Sequence, residues 1–195
     1  MIKVIFLSAG QSKRLKSENK LVKRYKNTPL INHSLKALHK SKVNKVIVVL
    51  GNQYKEVKKI ILKNKKNIFI YNKDYRKGMA SSIKVGLKKV SGNDKGFIVV
   101  QSDMPFIKTK HINKICRSIQ KKKHLVHALR FKNRAGNPVG FDIAVLNKFK
   151  KLKGEHGAKF MVKRLSKKNK GFIIIQSDMP FIKTKHINKI CRSIQ

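Results

Sequence analysis

The run KVIFLSAG, residues 3–10, is apolar and rich in β-formers until it meets Ala9-Gly10. An apolar run without alternation predicts a strand buried on both faces, and the small residues mark where it stops. Such strands belong to parallel sheets, which need helices on both sides. The fold therefore turns on whether helices follow.

They do. Thr28-Pro29 reads as an N-cap and a first helical position, and LINHSLKALHKS (30–41) then carries apolar residues at helical spacing. KVIVVLG (45–51) is a second strand and YKEVKKIILKN (54–64) a second helix. NIFIYN (67–72) and GFIVVQS (96–102) are further strands, with MASSIKVGLKKV (79–90) a helix between them. Another helix runs through Ile112, Ile115 and Ile119. Beyond it lie HLVHALRF (124–131), a loop RAGNPVGF (134–141), and short helices around LNKFKKL (146–152) and AKFMVKRL (158–165). Alternation of this kind predicts an α/β fold with a mostly parallel sheet between two helical layers. Ligands in such sheets bind beyond the carboxyl ends of the strands, which directs attention to 9–20, 72–82 and 102–105.

With 195 residues the chain can build one good core and has no room for a second. Its end repeats its middle: Lys170–Gln195 copies Lys95–Gln120, with Ile174 and Ile175 in place of Val99 and Val100. One strand–helix unit recurring once is a partial duplication, not a solenoid. The expected organisation is a domain over 1–165 and a duplicate over 170–195 that lies at the periphery or packs poorly. Cys116 and Cys191 are the same position in the two copies, so they define no disulfide framework.

Lys and Arg total 49 against 8 Asp and Glu, a formal charge of +41. Such a surface attracts polyanions, at least non-specifically and at low salt. The cations are overwhelmingly lysine and spread along the chain, which argues for composition drift over a dedicated recognition stripe. No apolar run approaches the length a bilayer needs, and no leader is visible, so a cytoplasmic protein is expected.

Three segments carry chemistry. LSAGQSKRLKSENK (7–20) is a strand end, a glycine and a basic loop whose backbone N–H groups can face an anion, with Arg14 and Lys20 adding charge. Its spacing fits neither a Walker A loop nor GxGxxG. Asp103 follows a buried strand in SDMP, where a hard carboxylate suits Mg²⁺ and a turn or helix cap is the plain alternative. KGMASSIKVG (77–86) opens a helix with glycine and small residues, which permits close approach of a base or ribose and equally suits a well-capped helix.

Together these segments resemble the MobA-like nucleotidyltransferases, and among them the molybdenum cofactor cytidylyltransferases. The residues that carry the resemblance are LSAGQSKR with Lys20, YNKDYRKGMASSIKVGL (71–87), SDMP (102–105), RAGNPVGF (134–141) and GEHGAK (154–159). The resemblance implies a single-domain, Rossmann-like (GT-A-like) three-layer sandwich. It also implies a Mg²⁺-dependent transfer of CMP from CTP to molybdopterin, with release of pyrophosphate. Arg14, Lys20 and Asp103 would be catalytic, with Asp103 holding the metal. Ala9, Gly10, Gln11, Asn72, Gly78 and Ser82 would bind the nucleotide, and Gly136 and Asn137 the pterin acceptor. A transient molybdoenzyme or chaperone partner would receive the product. A phosphate nucleophile is already ionised at neutral pH, so in-line positioning and charge neutralisation suffice without a nucleophile–base pair.

The sequence departs from the family pattern in places. Leu15-Lys16 stands where a glycine is usual, Ser102 replaces the glycine before DMP, and Glu155 and Lys159 replace an aspartate and an arginine. The family's acidic C-terminal segment is missing, and the second SDMP copy, with Asp178, stands in its place. Two other readings compete with CMP transfer to molybdopterin. One is transfer to another phosphorylated acceptor such as a sugar phosphate; the other is a cationic nucleic-acid-binding protein that has lost catalysis.

Overall fold

The computed structural model of the chain describes residues 1–12, 19–131, 134–166 and 172–176. Strand β1 (Ile2–Ser8) is followed by a small hairpin of β2 (Arg24–Tyr25) and β3 (Thr28–Pro29), then by α1 (Leu30–His39). The alternation continues through β4 (Lys45–Leu50), α2 (Tyr54–Ile60), β5 (Asn67–Tyr71), α3 (Met79–Leu87), β6 (Gly96–Gln101) and α4 (Thr109–Gln120). Strands β7 (Val126–Phe131) and β8 (Arg134–Asp142) come next, then a 3-10 segment (Ile143–Lys151), α5 (Ala158–Ser166) and β9 (Phe172–Gln176).

Among the described residues seven strands form one sheet in the order β5-β4-β1-β6-β8-β7-β9. The β5-β4-β1-β6 half is parallel throughout, while β8 runs antiparallel to both β6 and β7. Alternate side chains of each central strand enter different layers, as the two-residue strand period requires. Val4, Phe6, Val46, Val48, Ile98 and Val100 face the side covered by α1, α2 and α4. Ile5, Ile47, Val49, Phe97 and Val99 face α3 and α5. Each such side chain contributes roughly 1.5–3 kcal/mol when fully buried, so the interior strands anchor the molecule. The expected three-layer α/β sandwich is what the chain adopts.

Local chemistry overrides the sequence reading at two points. Thr28 does not cap a helix; it pairs with Tyr25 in a hairpin whose turn residues Lys26 and Asn27 have φ of 47° and 57°. Two successive left-handed residues make the tight turn that hairpins prefer. The helix begins at Leu30, with Pro29 at its N-cap. The stretch RAGNPVGF is a strand, not a loop. Leu129 pairs with Gly136 and Ala128 with Val139, so Asn137 and Pro138 form a bulge. A proline in that position costs the sheet no ladder hydrogen bond.

One polar anchor closes the lower end of the sheet. Asp94, before β6, accepts from Lys3 Nζ at 2.8 Å and from Ser91 N at 2.8 Å, and Lys3 also reaches Lys89 O at 2.9 Å. Burial pushes the Asp94 pKa up, but these donors outweigh it and hold the carboxyl below its ordinary value. Strand β9, from the duplicated segment, occupies the far edge and pairs in parallel with β7, from Val126↔Phe172 to Arg130↔Gln176. Near-identical peptides therefore fill a central slot as β6 and an edge slot as β9.

Candidate active site

The connections that leave β1, β5 and β6 meet beyond the carboxyl ends of the parallel strands and enclose a pocket of about 250 Å³. After β1 the backbone turns through Ala9, Gly10 and Gln11, all of which line the pocket. Among the described residues nothing lies within 4 Å of where a Gly10 Cβ would stand, so they leave this backbone open to a ligand. Lys20 N donates to Ser12 Oγ at 3.2 Å, which ties the two ends of the basic loop together.

Asp103 is held by the turn that follows β6. Ser102 donates to Leu7 O from both N, at 3.2 Å, and Oγ, at 2.7 Å. Ser34 of α1 donates from Oγ to Met104 O at 2.9 Å. Ser102, in the glycine position of the family pattern, thus clamps β6 to β1. Within this frame the Asp103 carboxylate forms an ion pair with Lys20, and both side chains are largely buried.

The third wall comes from the β5–α3 connection. Asn72 Nδ2 donates to Ser81 Oγ at 2.9 Å and to Ser82 Oγ at 3.0 Å, while its Oδ1 accepts from Asp74 N at 3.0 Å. Gly78 has φ of 96°, a region that favours glycine, and a Cβ there would stand 2.5 Å from the Gly154 carbonyl. The contact is reinforced by Ala80 N donating to Gly154 O at 3.0 Å. The GEHG loop is thereby docked on the start of α3, and this brings Glu155 to the pocket.

Of the residues singled out in the sequence, Ala9, Gly10, Gln11, Lys20, Gly78, Ser82 and Asp103 share this pocket. Asn72 does not line it; the residue is buried behind the wall and orients Ser82. Gly136 and Asn137 lie on β8, outside the pocket lining. Because β8 is antiparallel to β6, its first residues lie toward the same end of the sheet as Asp103. Arg14 and Asp178 fall outside the described residues.

The sequence reading missed Tyr75, Arg76, Met79, Gln101 and Glu155, which also line the pocket. All five sit inside the quoted motif stretches or directly beside them. Arg76 lies over the Tyr75 ring, 5.6 Å from its centroid, and Gly51 lets Tyr75 close against Ala9, since a Cβ there would be 2.7 Å from both of their Cβ atoms.

The pocket combines a carboxylate, an ammonium, an arginine and the start of a helix, a set suited to a polyphosphate with a cation. Among the described residues no group of three or more His, Cys, Asp or Glu gathers as a closed metal cage. A Mg²⁺-type ion, which keeps several waters and takes one or two carboxylates plus substrate phosphates, fits Asp103, with Glu155 as a second oxygen donor on the same pocket. No described helix is long and apolar enough to cross a membrane.

A model of the MobA-like NTP transferase domain matches residues 4–169. The chain is 32% identical over 149 residues to the bifunctional protein GlmU of Campylobacter fetus, covering 75% of this chain and 32% of that protein. It is 33% identical over 128 residues to the 2-C-methyl-D-erythritol 4-phosphate cytidylyltransferase of Lachnoclostridium phytofermentans, covering 63% and 53% of the two. The matches thus span about a third of the first relative's length and about half of the second's. In three dimensions the chain is similar to Rv0371C of Mycobacterium tuberculosis in complex with manganese, with a TM-score of 0.73, 18% identity and 99% of each chain covered. At that identity the likeness concerns the fold alone.

Proposed function

Since the chain belongs to the family of MobA-like NTP transferase domains, we propose that it transfers CMP from CTP to the phosphate of a molybdopterin-type acceptor, releasing pyrophosphate. The observation that carries this reading is the Lys20–Asp103 pair, largely buried between the basic loop and the β6 turn in a pocket shared with Gly78 and Ser82.

In the reaction an oxygen of the acceptor phosphate bonds to the α-phosphorus of CTP. The bond to the β-phosphate breaks, and its electron pair leaves on pyrophosphate. The chain's task is to hold the two phosphates in line and to offset the charge that develops. Lys20, the backbone of Ala9–Gln11 and Arg14 take the triphosphate. The start of α3, with Gly78 and Ser82, takes the nucleoside, and Asn72 fixes the Ser82 hydroxyl. Gly136 and Asn137, at the same end of the sheet, face the acceptor. Mg²⁺ at Asp103, when bound, supplies charge neutralisation across the phosphates. Lys20, paired with the same carboxylate, would share that neutralisation from the triphosphate side of the pocket.

A second reading keeps the reaction and changes the acceptor. It is favoured by the relative named for 2-C-methyl-D-erythritol 4-phosphate. The test is pyrophosphate release with CTP, UTP, GTP or ATP, each offered molybdopterin, 2-C-methyl-D-erythritol 4-phosphate or a sugar 1-phosphate. Turnover with CTP and molybdopterin is expected. Turnover with CTP and only another acceptor moves the assignment to the second reading. Preference for GTP would overturn the nucleotide assignment.

A further inference from the structure

The outer edge of the sheet, away from the pocket, carries a second concave surface. Five large apolar side chains among the described residues are more than a third exposed: Met1, Tyr54, Phe69, Tyr71 and Phe160. Three of the five meet between α2 and β5. The cause is topological. Strand β5 is at the edge, with Ile68 and Ile70 turned into the α3 layer, so Phe69 and Tyr71 face the α2 side. Helix α2 has seven residues and buries only Val57, too little to cover both rings.

Tyr54 lies against Tyr71 with ring centroids 4.7 Å apart, and Lys58 Nζ sits 5.5 Å from the centroid of Phe69. The groove beside them, about 620 Å³, is lined by Phe69, Lys55, Lys58, Lys59 and Lys63 together with uncharged residues. Glu56, the acid of α2, does not line it. Lysine is dispersed over the whole chain, but here it coincides with unsheltered aromatic faces.

We propose that the α2–β5 groove binds single-stranded nucleic acid, with Phe69 in the groove and the exposed Tyr71, beside it against the lining residue Tyr54, stacking bases and the lysines following the phosphates. Lysine alone attracts any polyanion; half-exposed rings beside it add a surface that nucleobases use and acidic side chains do not. A lipid surface fits poorly, because the one buried apolar residue of α2 already belongs to the core. Recognition is indifferent to sequence, since among the described residues the groove offers no arginine fork and Asn67 is occupied by His39 and Leu62 O.

The test uses the full chain with a labelled oligothymidylate, the matched duplex and polyglutamate, read by fluorescence anisotropy with saturating CTP present. Phe69→Ser/Tyr71→Ser is expected to weaken oligothymidylate binding about tenfold or more while changing polyglutamate binding little. Lys58→Gln/Lys59→Gln, on the exposed face of α2, should weaken both, and Lys148→Gln/Lys150→Gln, in the 3-10 segment, should spare both. The chain has no tryptophan and four tyrosines, so quenching of tyrosine emission by oligothymidylate gives a readout on the unmodified protein. Oligothymidylate binding unchanged by loss of the two rings, or an absence of quenching, would overturn the proposal. So would equal losses for oligothymidylate and polyglutamate in the ring variant.

Discussion

Asp103 and Lys20 compensate each other in a largely buried place, and this sets what single substitutions there do. Asp103→Asn keeps the shape of the side chain and the Ser102 clamp but removes the charge proposed to receive a divalent cation. Turnover is expected to fall by about two to three orders of magnitude, the scale of losing one preorganised electrostatic contact, and the thermal midpoint to drop as well, because Lys20 loses the charge that compensates it, with the fold retained. Steady-state rates over a metal titration, set beside a melting curve, check this; turnover within a few-fold of the unsubstituted protein removes Asp103 from the mechanism. Asp103 was legible in the sequence because acids are scarce and this one follows a strand. Glu155 was not, since only the docking of Gly154 on Gly78 brings it to the pocket. Nor could spacing show that Asn72 acts through Ser82, because the hydrogen bond depends on where α3 begins.

Between elements, one partly buried contact joins α4 to β7, where His127 Nδ1 lies 2.8 Å from Ser118 Oγ. Burial dominates the His127 environment and lowers its pKa from 6.5 to about 4. The unfolded chain takes up a proton near pH 6.5 that the folded chain refuses until about pH 4. This contribution is therefore fully present above the unfolded value and is lost as pH falls through that window, by about 3 kcal/mol in all. Urea midpoints measured across the window should fall steeply for the native chain and less for His127→Gln; parallel slopes would refute the linkage. The α/β alternation was readable because continuous apolar strands have one stable home. The hairpin and β8 were not, because a bulge that excuses Pro138 and a turn that places Lys26 at positive φ are properties of pairing.

Across the whole molecule the sheet ends in β5 on one side and β9 on the other, and the pocket sits on the parallel half between them. Among the described residues no pocket residue comes after Glu155. Truncation after Lys170 is therefore expected to leave CTP affinity within about twofold, while the lost β7 ladder lowers the thermal midpoint by about 2–4 °C for each kcal/mol removed. Calorimetric titration with CTP checks the first part, and a tenfold loss of affinity would show that the far edge supports the site. With β9 gone, β7 would present unpaired backbone to other chains, a route to association. The duplicated strand also makes the molecule a comparison with itself. Two near-identical peptides are thus placed differently: among the described strands one is flanked by β1 and β8, and the other is joined to β7 alone. The two copies also differ in their order along the chain: β6 precedes its twin, so folding during synthesis is expected to offer it the slot beside β1 first and to leave β9 the rim. For such a segment, the address in the chain counts for as much as the spelling.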